Sequence, residues 1–338
     1  MSPAAQDEKT KANAGDLRTE FQALTSGCGI YRLDRGKIVL TGSDRVRWLN
    51  GMVTNNVRDL APGRGVYAFV LNPQGKIQGD MYAFNGGERL QVETERIQLE
   101  TVLQIFDRYI IMDDVEVQNV TGNFTSIGVA GPKSGEALTA LGLKPQELQP
   151  LQFVNLQWSG LELTLTRGDN PAVPNYEIQV AAQEADAVWK ALLQTGAQEI
   201  HDEGREMFRV ACGIPKLGQD IRQRDLPQET GQERALHFSK GCYVGQEIVE
   251  RIRSRGAVHR GFVGFEVEGR SLSAGARVQS EGKDVGEITS VATVPAAIGE
   301  RRIALGYLRK EFMLPGKELT AGDTKVTLAG LPFPTIET

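Results

Sequence analysis

Cysteine is scarce in this chain: Cys28, Cys212 and Cys242 are the only three in 338 residues, far apart and odd in number. That excludes a disulfide framework and fits a reducing compartment. No CxxC pair occurs, so neither a self-contained zinc site nor a stable four-cysteine cluster is expected, because such sites recruit their ligands in close pairs. Long apolar runs are missing too, and no segment approaches the length needed to span a bilayer. The stretch through Asp16 is polar and mixed in charge, reading as a frayed arm or helical lead-in rather than a signal peptide. A cytoplasmic protein with no membrane attachment is the expectation. Positive charge is also in short supply. A net charge of -5 gives no general attraction for nucleic acid or anionic lipid, so an acidic ligand must be held by a local basic patch. Arg301-Arg302 and Arg309-Lys310 lack an interleaved aromatic platform and read as surface charge. Gly131-Pro132-Lys133-Ser134-Gly135 lacks the spacing of a phosphate cradle and reads as a helix start.

What the chain does have is one dense stretch, Ser239 to Arg251, where a thiol, charged groups and glycines crowd together. Gly241 and Gly245 permit a sharp turn or a close backbone approach. Lys240 lies two residues from Cys242, and a nearby cation favours the thiolate, the form that attacks electrophiles or binds metal. Cys242 is thus either a reactive thiol or, as free cysteines often are, a small buried apolar group.

Around this stretch the patterning is that of an α+β chain long enough for two or three domains. Alternation from Gly29 to Leu40 about Asp34-Arg35-Gly36-Lys37 reads as a hairpin. Ser43 or Asp44 caps a short helix that stops at Asn50-Gly51. Val66 to Leu71 and Lys76 to Phe84 form a hairpin around Asn72-Pro73-Gln74-Gly75. Ile97 to Ile110 has helical spacing, with Thr94 as a candidate cap. Asp113-Asp114 reads as a solvated turn, since neighbours on a strand face opposite ways and cannot chelate together. Leu151 to Arg167 is another hairpin, Ala185 to Leu193 a helix, and Arg205 and Arg209 stand at helical i, i+4 spacing. If Glu250 to Arg255 is extended, Arg251, Arg253 and Arg255 share one face as a row of guanidiniums. Such a row is either a solvated, charge-protected edge or a seat for a carboxylate tail. From Gly261 onward short alternating runs and Gly-rich turns indicate a small β-barrel or sandwich.

The run Lys240-Gly241-Cys242-Tyr243-x-Gly245-Gln246-Glu247-x-x-x-Arg251 resembles the signature of the folate-binding YgfZ family. These are relatives of the glycine-cleavage T protein, an aminomethyltransferase, and include factors implicated in maturing iron–sulfur enzymes. The likeness extends from about Ile30 to the C-terminal strands. It implies a T-protein-like ring of three parts: two interleaved mixed α/β-sheet domains plus a C-terminal β-barrel, with tetrahydrofolate in a central hole. The corresponding boundaries are an arm over 1–20, a folate-binding region over 21–255 and a barrel over 256–338.

Carried over residue by residue, the resemblance implies folate contacts at Asn55, Asp80, Glu177, Arg205, Arg209 and Gln246 of the signature. The arginine row adds Arg251 and Arg253 as a seat for the folate's glutamate tail. Departures from the family pattern matter as well. Asn56 stands where an Asp is common, and Gly79-Asp80 replaces two adjacent acids. Only Arg167 and Tyr176-Glu177 match the ends of a glycine-rich pterin segment. Arg205 and Arg209 can equally tie domains together, and Asp80 can equally be a half-exposed strand carboxylate. The expected function is a monomeric, tetrahydrofolate-binding accessory protein for assembly or repair of iron–sulfur enzymes, with Cys242 and its neighbour Lys240 as the reactive pair. Its partners would be folate, of unspecified one-carbon state, and iron–sulfur client or assembly proteins. The alternatives are a folate-dependent aminomethyl or methyl transferase using Asp80, and a binding module in which Cys242 is structural.

Overall fold

A computed structural model describes residues 17–256, 258–269, 271–314 and 316–334. Most of the expected N-terminal arm therefore lies outside the described residues. In chain order, helix α1 (17–26) leads to β1 (Gly29–Leu33), β2 (Arg35–Thr41) and α2 (Arg45–Met52). Next come β3 (Arg64–Leu71), β4 (Ile77–Asn85), β5 (Leu90–Glu95), α3 (Leu99–Tyr109), β6 (Glu116–Asn119), β7 (Phe124–Ala130) and α4 (Ser134–Ala140). The middle of the chain holds β8 (Phe153–Trp158), β9 (Leu161–Arg167), β10 (Asn175–Ala181), α5 (Ala185–Gln194), β11 (Gln198–Glu199), α6 (Asp202–Ala211) and α7 (Gln246–Arg255). The last strands are β12 (Arg260–Glu268), β13 (Arg277–Ser280), β14 (Lys283–Pro295), β15 (Glu300–Arg309), β16 (Leu319–Ala321) and β17 (Thr324–Ala329).

The strands build two open sheets and a barrel. One sheet has the order β11-β1-β7-β10-β9-β8, the other β3-β4-β5-β2-β6, and β12 to β17 close into a six-stranded barrel. Alternation explains how the sheets bury. In the first, Ile127, Val129, Leu163, Leu165, Ile178 and Val180 face α4 and α5, and in the second, Val92, Met81 and Ala83 pack under α2 and α3 with Trp48 and Phe106. Every second residue then points the other way. On those second faces sit Lys37, Gln91, Glu93, Glu177 and Gln179, and there the two sheets meet. The Lys37 ammonium, 1% exposed, donates to Glu93 Oε1 at 2.7 Å, Gln179 Oε1 at 2.9 Å and Glu177 Oε1 at 3.3 Å. Burial and the neighbouring Glu177 push the Glu93 carboxyl up. Burial also works to raise Glu177, but Lys37 and Arg35 outweigh it and hold that carboxyl low.

This network overturns the hairpin expected over Gly29 to Leu40. β1 pairs with β7 and β11, whereas β2 pairs with β5 and β6, so the chain passes from one sheet to the other at Asp34. Arg35-Gly36-Lys37 resembles a turn only because its charges are polar. Each is instead paired inside, Lys37 as above and Arg35 with Glu95 at 2.8 Å. The helix expected to stop at Asn50-Gly51 continues to Met52. Thr94 caps nothing; its hydroxyl donates to the Asp80 carbonyl, and α3 begins after a short 3-10 turn over Arg96–Gln98.

Extended backbone over Glu250 to Arg255 is likewise corrected, because the segment is helical. Ile248 packs over the β3–β4 turn so closely that a Cβ on Gly75 would fall 2.7 Å from its Cβ, and Val249 is fully buried. Apolar contact at helical spacing decides the conformation, and residues two apart no longer share a face. The barrel is joined to the rest through α6. Phe208, Val210 and Cys212 share one core with Leu24 of α1 and with Val294, Ile303 and Leu305 of the barrel.

Candidate functional site

A cavity of about 520 Å³ opens where β1, β3, β4, β5, α6 and the segments 169–175, 213–217 and 231–234 converge. On β4, Met81 and Ala83 are buried in the helix-covered core, which leaves Asp80 and Tyr82 on the opposite face. Asp80 is held from every side. The Tyr67 hydroxyl donates to its Oδ2 at 2.6 Å and the Gln98 amide to its Oδ1 at 2.7 Å. Its backbone N–H donates to Gln98 Oε1 at 3.0 Å and its carbonyl accepts from Thr94 at 2.8 Å. Burial first, and then the carboxylate, push the Tyr67 phenol well above its ordinary range, so it stays a donor. No Lys or Arg lies within ion-pair distance of Asp80 among the described residues. Its charge is oriented by neutral donors, and Arg234 acts on it through space without pairing with it.

Next to it Tyr67 and Tyr82 stand with ring centroids 5.1 Å apart. The Arg234 guanidinium lies over Tyr67 at 4.3 Å and pairs with Asp169, whose other oxygen accepts from Tyr82 at 3.1 Å. Arg35 completes this wall. Across the cavity α6 brings Arg205 and Arg209, and the following turn adds an exposed Lys216. The two arginines differ. Arg209 places its N–H groups on Glu206, Asp220, Ser290 and the Ile214 carbonyl. Its side chain is 13% exposed and its partner Asp220 fully buried, so Arg209 binds α6 to the barrel. Arg205 spends one nitrogen on the Arg32 carbonyl at 2.8 Å and one on an exposed Asp202, and remains partly open. Gly79 faces the other way. A Cβ there would meet Gln98 Oε1 at 3.3 Å and Val102 at 3.5 Å, so an acid at that position would project toward α3 and not into the cavity.

Of the residues singled out from sequence, Asp80, Arg205 and Arg209 line this cavity and the others do not. Asn55 stands behind it, donating to the Tyr67 and Arg234 carbonyls at 2.8 Å each. Glu177 lies behind Arg35, 3.7 Å from its Nε. The signature loop lies off the cavity altogether, and its expected pairing of Lys240 with Cys242 is corrected. Lys240 turns inward, 1% exposed, and donates to the Asn50 and Val53 carbonyls at the end of α2. Burial, with Arg58 adding repulsion, brings its ammonium down to about 7. Cys242 points outward and is exposed. Gln246 Oε1 accepts from the Tyr243 N–H at 3.3 Å and closes the turn before α7. Arg251 is exposed on α7, and Arg253 lies 4.3 Å over the Phe238 ring beside Glu250. The Arg255 side chain lies outside the described residues.

Cys212 lines the cavity wall, but burial pushes its thiol up to about 12. Tyr67, Tyr82, Arg234 and Lys216 had no signal of their own in the sequence beyond, for the tyrosines, strand alternation with Asp80. Among the described residues no group of three or more His, Cys, Asp or Glu is placed to hold a metal ion. No helix among them is long and apolar enough to cross a membrane.

Comparison with known proteins bears on the family and the fold. The model of the GCVT N-terminal domain matches residues 7–240. An aminomethyltransferase from Rippkaea orientalis is 28% identical over 90% of this chain and 84% of its own length. An aminomethyltransferase from Rubrobacter xylanophilus is 27% identical over 94% and 84%. A putative chloroplastic transferase from Arabidopsis thaliana is 24% identical over 90% and 70%. Among solved structures, the glycine cleavage system aminomethyltransferase T from Bartonella henselae superposes with a TM-score of 0.83, covering 94% of this chain and 89% of that one at 20% identity. That likeness bears out the T-protein fold with its closed C-terminal barrel.

Proposed function

This chain belongs to the GCVT N-terminal domain family, and from that premise we propose that it binds a tetrahydrofolate in the central cavity and serves iron–sulfur enzymes as an accessory protein. One observation carries the reading: Asp80 presents an oriented carboxylate at the cavity wall that no Lys or Arg among the described residues pairs with directly. A pterin edge offers ring N–H and amine donors, and a half-buried carboxylate accepts them in charge-assisted hydrogen bonds. Tyr82, half-buried at the wall, supplies a flat apolar surface for the ring. Arg205 and Lys216, on the far side, suit the carboxylates of a glutamate tail. The folate would supply a one-carbon carrier; the chain's own groups would orient it and keep water from its face.

The accessory role draws on Cys242. An exposed thiol on a glycine-hinged loop, outside the cavity, is open to a protein partner rather than to the folate. Its proposed setting is the cytoplasm, with iron–sulfur client or assembly proteins as partners. A second reading, folate-dependent aminomethyl transfer with Asp80 as charge stabiliser, is favoured by the names of the relatives. The missing acid at Gly79 no longer weighs against it, since that position faces α3.

Two assays separate them. In a strain lacking the gene, wild type should restore iron–sulfur enzyme activity, whereas Cys242→Ala and Asp80→Ala should not; full rescue by Cys242→Ala would remove the thiol from the function. A glycine-cleavage assay with lipoyl carrier protein should give no turnover. Turnover would make the transferase reading the correct one.

A further inference from the structure

The polar faces of the two sheets do not fill the space between them. Lys37, Glu93 and Gln179 close one end, and at the other a cleft of about 580 Å³ remains between β4–β5 and the β8–β9 hairpin. Its volume falls in the ordinary range of small-molecule sites. The lining alternates along each strand. Leu163 and Leu165 bury under α4 and α5, so Thr164 and Thr166 face the cleft, opposite Asn155 of β8 and Gln91 of β5. Phe84 and Phe153 meet edge to face with centroids 5.7 Å apart and give the cleft an aromatic corner.

Its chemistry is rich in hydrogen bonds and poor in net charge. Gln179 is 7% exposed, and its Oε1 already accepts from Lys37 and from Gln91 at 2.7 Å. Its amide nitrogen has no partner among the described residues and is not itself sealed from solvent, so it stands as an open donor at the cleft. Asn155 Oδ1 accepts from Thr164 at 2.8 Å, which leaves its two N–H donors. Glu93, which lines both cavities, is balanced by Lys37. Arg89 and Glu162 contribute one charge of each sign at the exposed rim. A site with amide donors, hydroxyls and aromatic edges but no net charge suits a ring that carries several hydroxyl groups and an apolar face.

We infer that the cleft between the sheets is a second binding site, separate from the central cavity, for an uncharged hydroxylated ring compound, either a free sugar or the sugar of a nucleoside. It does not depend on folate occupying the central cavity. The test is saturation-transfer NMR followed by calorimetry on the full chain, with glucose, ribose, adenosine and uridine as probes at millimolar concentration. At least one probe should bind saturably. Asn155→Ala and Thr164→Ala, both on the open face and away from the core, should each weaken it about tenfold, the loss of one well-placed hydrogen bond. Asp80→Ala should leave it unchanged. Binding by nucleosides alone assigns the site to nucleosides, and binding by the sugars as well assigns it to the ring. Absence of saturable binding by all four probes overturns the inference. So does binding that both cleft variants leave intact, or binding that Asp80→Ala abolishes.

Discussion

The central cavity and the signature loop are built in opposite ways. The loop and the start of α7 gather a thiol, a lysine, glycines and arginines within fifteen residues, 239–253, yet folding disperses them: Lys240 inward to cap α2, Arg253 onto Phe238, Cys242 to the surface. The cavity takes Asp80 and Tyr67 from one hairpin, Arg234 from a loop and Arg205 from a helix, and folding brings them together. Density in sequence marks a backbone that must turn sharply, whereas convergence in space marks where a ligand can be gripped.

Variants can sharpen that contrast. The largest effect is expected within the cavity itself, where the two arginines of α6 part company. Arg209→Ala leaves the fully buried Asp220 without its cation and should cost about 3–5 kcal/mol in urea unfolding. Arg205→Ala, partly open and paired only with a carbonyl and an exposed carboxylate, should stay within about 0.5 kcal/mol of wild type. Equal losses would mean that Arg205 is as much a tie as Arg209.

In the signature loop, Gly245 has φ +82° and a Cβ there would fall 2.6 Å from the Asn72 carbonyl oxygen. Gly245→Ala should lose about 1–3 kcal/mol of stability. Gly241→Ala, at φ +97° with nothing near the added Cβ, should lose about 1 kcal/mol. A thermal melt of the pair would show whether close approach or conformation alone demands glycine.

Tyr67→Phe removes one donor from Asp80 and should weaken tetrahydrofolate binding by about 1 kcal/mol, a fivefold change in Kd. Calorimetry checks it; unchanged affinity would detach the hydroxyl from the site. Lys240 is tested through pH. Its folded pKa of about 7 lies below the roughly 10.4 of an unfolded lysine. Between those values the unfolded chain holds more protons, so stability rises with pH there and is flat below. Lys240→Met should abolish that rise in denaturation curves measured across the interval. A slope retained in the variant would assign it elsewhere.

Much of the fold was legible because local pattern and burial agree. The hairpin of β3 and β4, the helices over 99–109, 185–194 and 202–211, and the barrel strands follow from alternation, helical spacing and turn residues. The failures share a cause. Arg35 and Lys37 read as a turn because charge signals solvent, and here each is paired inside. The arginine row over Glu250 to Arg255 required an extended segment, but Val249 and Ile248 pack at helical spacing. Asp80, Arg205 and Arg209 were found, though Arg209 serves as a tie. Tyr82 and Arg234 were not found, because their place depends on contacts between segments far apart in the chain.

The most direct test of the account is calorimetry with tetrahydrofolate on wild type, Asp80→Ala and Cys242→Ala in parallel. Asp80→Ala should lose at least about tenfold in affinity, roughly 1.4 kcal/mol, while Cys242→Ala should bind as wild type does. Wild-type affinity in Asp80→Ala, or an equal loss in Cys242→Ala, would contradict it.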